Sequence, residues 1–452
     1  MRIAALSLLA LTTACAGLPD THPINQPLAI VSIAATAPES DFGVDGDVVA
    51  LALSGGGARA ASFSLGVLQQ LRDMRDPGGK PLIDRVALVT GVSGGSITAA
   101  WFGQHGPAGL DDMRKAILDK DWQSQLNTTW ISPQNWDRLM QGGLNGPDKL
   151  SIWLDKEVFH GARMRDMQSR PRIIINATDL YSGAPFAFAE PWFQAICSDL
   201  DDVSLADAVS ASMSVPVAFR PVVVKSYAQG CPSPLPDWVG KAEHDRTAPV
   251  LLRETARSFR YYREPERMAY LHLTDGGVAD NFGVSSLVTM RAASQTLYGP
   301  FSARDAVKLH RLTFFIVNAE RSAEGDWALK QAGPDGPQLV EALLGIATNA
   351  PKRAAADAFA NTLARWQLDL INWRCSLTPN EAIGLGAGAG WNCKDVEIRL
   401  DMISFADLSD KRFADLGKAA TAVSLPKETI DNLIAGGREA IASNPEILKF
   451  TR

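Results

Sequence analysis

Histidine and cysteine are scarce in this chain, six and five respectively among 452 residues, and their scarcity narrows the chemistry open to it. No spacing among them matches a zinc site, so no metal centre is expected. A basic block is also missing. The 44 Lys and Arg are interspersed with 50 Asp and Glu for a formal charge of −6, and without a run of cations to neutralise phosphates, nucleic acid is excluded as the expected partner. Past the N-terminus, no apolar run reaches the roughly 18–20 residues that a membrane-spanning helix needs.

The first fifteen residues differ in texture from the rest. Arg2 gives a positive start, Ile3 to Leu11 is apolar, and small residues lead to Cys15, the order of a secretory signal. Leu11-Thr12-Thr13-Ala14-Cys15 resembles the lipobox of bacterial lipoproteins, with Thr12 where Leu is usual. That resemblance implies acylation of Cys15 and attachment to a membrane surface; the alternative is an ordinary cleaved signal with a stray cysteine. The residue after the cysteine is Ala16 and not Asp, which points to the outer membrane. Export leaves Cys197, Cys231, Cys375 and Cys393, an even number suited to an oxidising compartment. Proximity favours the pairs Cys197–Cys231 and Cys375–Cys393, each loop closure contributing on the order of 3 kcal/mol.

Residues 16–45 are rich in Pro, Ala and Thr without sustained periodicity and are expected to be a tether. Strand-like apolar runs then alternate with helical patterns. Strands are expected at Asp47–Leu53, Val86–Thr90, Arg172–Ala177, Met268–Thr274 and Arg311–Val317, and helices after the glycine turns that follow the first two. This alternation predicts an α/β fold around a mostly parallel sheet over residues 46–320. From 321 to 452 the texture becomes Ala-rich, with helical segments at Leu339–Ile346 and Lys352–Leu370. This mainly helical extension has three possible placements: on the sheet, as a lid, or against a membrane.

Three motifs carry chemistry. Gly91-Val92-Ser93-Gly94-Gly95 is a Gly-x-Ser-x-Gly elbow between an expected strand and an expected helix, where a tight turn exposes the serine and flanking glycines remove clashing side chains. Ser54-Gly55-Gly56-Gly57-Ala58-Arg59 ends another strand with three glycines whose amides can point into one concavity, as a tetrahedral oxyanion requires. No Gly-Lys-Ser/Thr follows, which excludes a P-loop. Arg59 either orients that loop or forms a surface salt bridge. Asp275-Gly276-Gly277 follows a third strand and places a carboxylate at the rim of the sheet that carries the serine, unless it is an ordinary turn.

In this order the three blocks resemble the patatin-like phospholipases. Ala177-Thr178-Asp179-Leu180 with Gly183, and the stretch from Ala208 to Pro216 with Phe219 and Pro221, fit the same resemblance. It covers roughly Val48 to Val284. Ala60 departs from it where a glycine is usual, and Gly283 stands near where plant patatins carry proline. The resemblance implies a three-layer α/β fold with a mostly parallel central sheet, and a Ser93–Asp275 dyad with no histidine between the two. It further implies an oxyanion hole at Gly55, Gly56 and Gly57, with Arg59, Gly91, Gly95, Gly276 and Gly277 supporting it. The activity implied is calcium-independent hydrolysis of membrane lipid esters without a cofactor. Two rivals stand. Ser93, Asp275 and His310 satisfy the chain order of an α/β-hydrolase triad, which would make the chain an esterase or thioesterase. A surface lipoprotein that keeps the fold only to bind lipid or protein is the other. His272 is expected to be a strand residue with a satisfied side chain.

Overall fold

Apolar, β-branched runs without polar alternation make strands buried on both faces, and here they form one sheet surrounded by helices. The computed structural model describes residues 22–28, 46–122, 143–145, 147–320, 326–331 and 333–452; Cys15 and the signal-like segment lie outside them. The strands are β1 (Asp47–Leu53), β2 (Val86–Val92), β3 (Arg172–Asp179), β4 (Pro185–Phe188), β5 (Val222–Lys225), β6 (Tyr270–Asp275), β7 (Arg311–Asn318) and β8 (Glu397–Ser404). Their order is β8-β7-β1-β2-β3-β6-β5, with β4 also paired to β3. The five strands from β8 to β3 are parallel. Every residue of β2 is buried, as a central parallel strand demands.

Beyond β3 the sheet turns mixed. Strand β6 is antiparallel to β3, and β5 is antiparallel to β6. The pairings fix an uncommon arrangement. Residues 175–176 of β3 pair with both β2 and β4, and residues 177–178 with both β6 and β4. Since β4 holds one edge of β3, β2 and β6 lie end to end along the other. They run toward each other: Val92 sits opposite Asn176, and Asp275 sits opposite the next residue, Ala177.

Helices α1 (Gly57–Asp73) and α2 (Gly94–His105) leave the C-terminal ends of β1 and β2. They are followed by α3 (Leu205–Met213), α4 (Ser285–Ala293), α5 (Gly336–Ser376) and α6 (Lys427–Ser443). The two helical segments expected between 339 and 370 are parts of the single helix α5. Residues past 320 pack on the sheet, and they are more than a helical extension: β8 forms its outer strand. Helix α6 crosses α1 so closely that a Cβ at Gly437 would lie 2.1 Å from the carbonyl oxygen of Phe63.

Both expected disulfides are present, Cys197–Cys231 and Cys375–Cys393. The expected tether is not uniform. Its residues 22–28 are held against the domain, where the Ile24 amide donates to the Val223 carbonyl at 3.0 Å and the Leu28 amide to that of Cys197 at 2.9 Å. Asn25, only 1% exposed, donates to Ser198 Oγ and to the Lys225 carbonyl and accepts from the Lys225 amide. This short segment covers the free edge of β5, which would otherwise present unpaired amides and carbonyls.

Candidate active site

The head-on meeting of β2 and β6 brings Ser93 and Asp275 together. Ser93 follows Val92 at the strand end, with φ 49° and ψ −119°, a left-handed conformation that costs a non-glycine residue on the order of 1–3 kcal/mol. Its surroundings hold it there. A Cβ at Gly95 would lie 2.3 Å from the Leu53 carbonyl oxygen, so only glycine lets α2 start this close to the end of β1. The Ser93 hydroxyl donates to Asp275 Oδ2 at 2.7 Å. Asp275 Oδ1 accepts from the Gly277 amide at 2.8 Å, and its backbone is held on both sides, the amide by the Ser214 carbonyl and the carbonyl by Thr178 Oγ1.

Ser93 and Asp275 are each 7% exposed. Burial pushes the Asp275 carboxyl up to about 6, against the weaker opposing pull of the Ser93 hydroxyl and the Gly277 amide. Desolvation disfavours the charged form, and the result is a carboxylate tuned toward neutrality that can take a proton from a hydroxyl.

The glycine loop divides. The Gly55 amide, expected to face an oxyanion, instead donates to the Asn281 carbonyl at 3.1 Å; the segment after β6 occupies it. No acceptor among the described residues takes the amides of Gly56, Gly57 or Gly94. Gly57 and Gly94 open α1 and α2, and the two starts touch: a Cβ at Gly94 would lie 2.0 Å from the Gly57 carbonyl oxygen. Two helix N-termini therefore direct positive potential at one place beside Ser93. Gly57 itself needs φ +59° and leaves no room for a Cβ, which would sit 2.4 Å from the Ala422 carbonyl oxygen.

Arg59 is 4% exposed: Nε donates to the Ala319 carbonyl and Nη1 to that of Ala419. Its guanidinium lies beneath Gly56, 3.1 Å from where a Cβ would be, and ties the glycine loop to the segments after β7 and before α6.

His310 stands at the opposite end of the sheet from Ser93, at the start of β7, where Nδ1 contacts Asp47 and Nε2 contacts Asp395 at 2.8 and 3.1 Å. A strand of this length spans about 25 Å, so the triad order in the sequence has no counterpart in space. His272 is a strand residue, as expected, and lies on the exposed face of β6.

Two contributors escaped sequence reasoning. Ser212 Oγ accepts from the Ser93 amide at 2.8 Å and donates to the Asn176 carbonyl at 2.6 Å, fixing the Ser93 backbone. The Asn176 side-chain amide donates to the Gly91 carbonyl at 3.1 Å, holding the other side of the elbow. Ser212 falls in the Ala208–Pro216 block, and that block was the only signal for it. An apolar cavity of about 30 Å³ lies elsewhere, between α5 and the sheet beside Val48, Leu312 and Phe359.

Residues 51–288 match the family model described as Patatin-like phospholipase. No curated protein matches the sequence. Among solved structures, the chain is similar to human GIVD cytosolic phospholipase A2 at 11% identity and a TM-score of 0.35, covering 64% of this chain and 47% of that one. It thus spans about half the length of that relative.

Proposed function

The chain belongs to the patatin-like phospholipase family, and from that premise we propose that it is a lipid acyl hydrolase working through a direct Ser93–Asp275 dyad. The observation that carries this reading is the 2.7 Å hydrogen bond from the Ser93 hydroxyl to a buried carboxylate. Asp275 takes the hydroxyl proton as Oγ attacks the ester carbonyl. The amides of Gly56, Gly57 and Gly94 hold the oxyanion. Collapse of the intermediate expels the alcohol, which takes the proton from Asp275 and leaves an acyl-serine. Water, deprotonated by the same carboxylate, attacks the acyl-serine; Ser93 recovers its proton and the fatty acid departs. These amides and two helix N-termini supply the electrostatic stabilisation, so catalysis is expected to be independent of calcium. The substrate is a glycerophospholipid or lysophospholipid in a bilayer, met by a protein anchored through lipid on Cys15, at the outer membrane.

The experiment is labelling with a fluorophosphonate, which forms a stable adduct on an activated serine. One adduct is expected on Ser93, absent in Ser93→Ala along with ester hydrolysis; a labelled or active Ser93→Ala would refute the assignment.

A further inference from the structure

Strand β6 begins by alternating exposed and buried, with Leu271 and Leu273 inside and Tyr270 and His272 outside. Pairing aligns Lys225 with Tyr270 and Val223 with His272, and continuing the β6–β3 register sets Leu180, whose amide donates to the His272 carbonyl, beside His272. Directly opposed residues of an antiparallel pair share a face, so these five side chains form one surface across three strands. Tyr270 is 48% exposed, Leu180 50%, and Tyr181, next in the chain, 69%. Folding leaves large apolar and aromatic groups in water here, around one lysine. At one border, Tyr227 donates its hydroxyl to the Asn25 carbonyl, and the Lys225 ammonium lies 5.1 Å from the Tyr227 ring centre.

We propose that this face, Leu180, Val223, Lys225, Tyr270 and His272, with the exposed Tyr181 in the turn next to Leu180, seats the protein on a lipid bilayer, and that the clamp formed by residues 24–28 delivers the chain's N-terminal anchor to its border. Tyrosines beside a lysine suit the headgroup level of a membrane, where an amphipathic ring and a cation near anionic lipid are both stabilised. Chain connectivity points to a bilayer as the occupant. Ile24 bonds to Val223 of this same face, and Cys15 is nine residues before it, a covalent reach of at most about 30 Å. A tether free over its full length would leave orientation open. One pinned at Ile24 does not. His272 and Asp275 share strand β6, about 10 Å apart, so a docked face puts the base within about one leaflet's thickness of the lipid. The inference rests on the lipid-hydrolase reading for its substrate and on acylation of Cys15 for its anchor.

The test uses the full chain carrying Cys15→Ser, so that binding comes from the surface alone. With vesicles of phosphatidylethanolamine and phosphatidylglycerol, Tyr181→Asp combined with Tyr270→Asp is expected to lower the partition coefficient about ten-fold or more. Hydrolysis of a soluble short-chain ester should be unchanged. Hydrogen exchange on the chain without the tyrosine substitutions should show vesicle protection at 178–183 and 268–273, a readout that survives if the double variant misfolds. Unchanged partitioning, or no protection in those segments, overturns the proposal. Ser93→Ala protein that binds vesicles without hydrolysing ester leaves the surface standing. Ester hydrolysis without vesicle protection removes the surface and leaves the hydrolase reading intact.

Discussion

Val92 and Asp275 end two strands that run toward each other along one edge of β3, opposite the consecutive residues Asn176 and Ala177. The serine after Val92 therefore meets Asp275 with no third residue between them. In a fully parallel sheet the carboxylate would sit one strand farther away, and a bridging group would be needed.

The raised carboxyl sets the pH profile. In the proposed dyad Asp275 serves as base only when ionised, and burial raises its value to about 6. On acidification, kcat/KM for a non-ionising ester is expected to fall with a midpoint near 6, not near 4 as for an ordinary Asp. A pH–rate series reads the midpoint directly.

The same shift predicts a stability effect of opposite sign to the functional one. A raised native-state value means that the ionised carboxylate destabilises the fold. The cost is absent below the unfolded value of 3.8 and complete above about 6. Asp275→Asn is thus expected to raise stability at pH 8, by up to about 3 kcal/mol, and to give no gain at pH 4. Denaturant melts at the two pH values check the sign.

Removing the Ser212 hydroxyl should act on the nucleophile without touching substrate. Ser212→Ala leaves the Ser93 amide, otherwise held at 2.8 Å, without its acceptor, at a stability cost of about 1–3 kcal/mol for an unsatisfied buried donor. The expected kinetic signature is a lower kcat with KM little changed, and rescue by Ser212→Thr if the larger side chain fits.

Much of the site was legible because its signals are local. A strand followed by glycines announces a sharp turn whatever lies around it, so Ser93, Gly56, Gly57 and Asp275 stand out in the sequence. What stayed hidden depends on partners distant in the chain. The antiparallel direction of β6, the capture of the Gly55 amide by Asn281, and the bond from the Ser93 amide to Ser212, 119 residues away, leave no periodic trace. Chain order likewise admitted His310, which only the direction of β7 removes. The strand β8 was masked by the helical texture around it, and residues 22–28 carry too few side chains to show a period.

Gly57 offers a test of the oxyanion geometry. With φ +59° and the Ala422 carbonyl oxygen 2.4 Å from a built Cβ, Gly57→Ala is expected to displace the loop, abolish hydrolysis and cost more than about 1 kcal/mol of stability. Gly79→Ala is the control, with φ +80° in open space: it should show backbone strain and full activity. Activity assays and thermal melts on the pair separate the two effects.

That Asp275 alone serves Ser93 is read from kcat/KM for ester hydrolysis by Asp275→Asn beside His310→Ala. The asparagine variant is expected to lose about three orders of magnitude or more while the histidine variant stays within about two-fold of the parent, its ring being bound to Asp47 and Asp395 at the far end of the sheet. An inactive but folded His310→Ala, or an Asp275→Asn that keeps a tenth of the parent's rate, would contradict it.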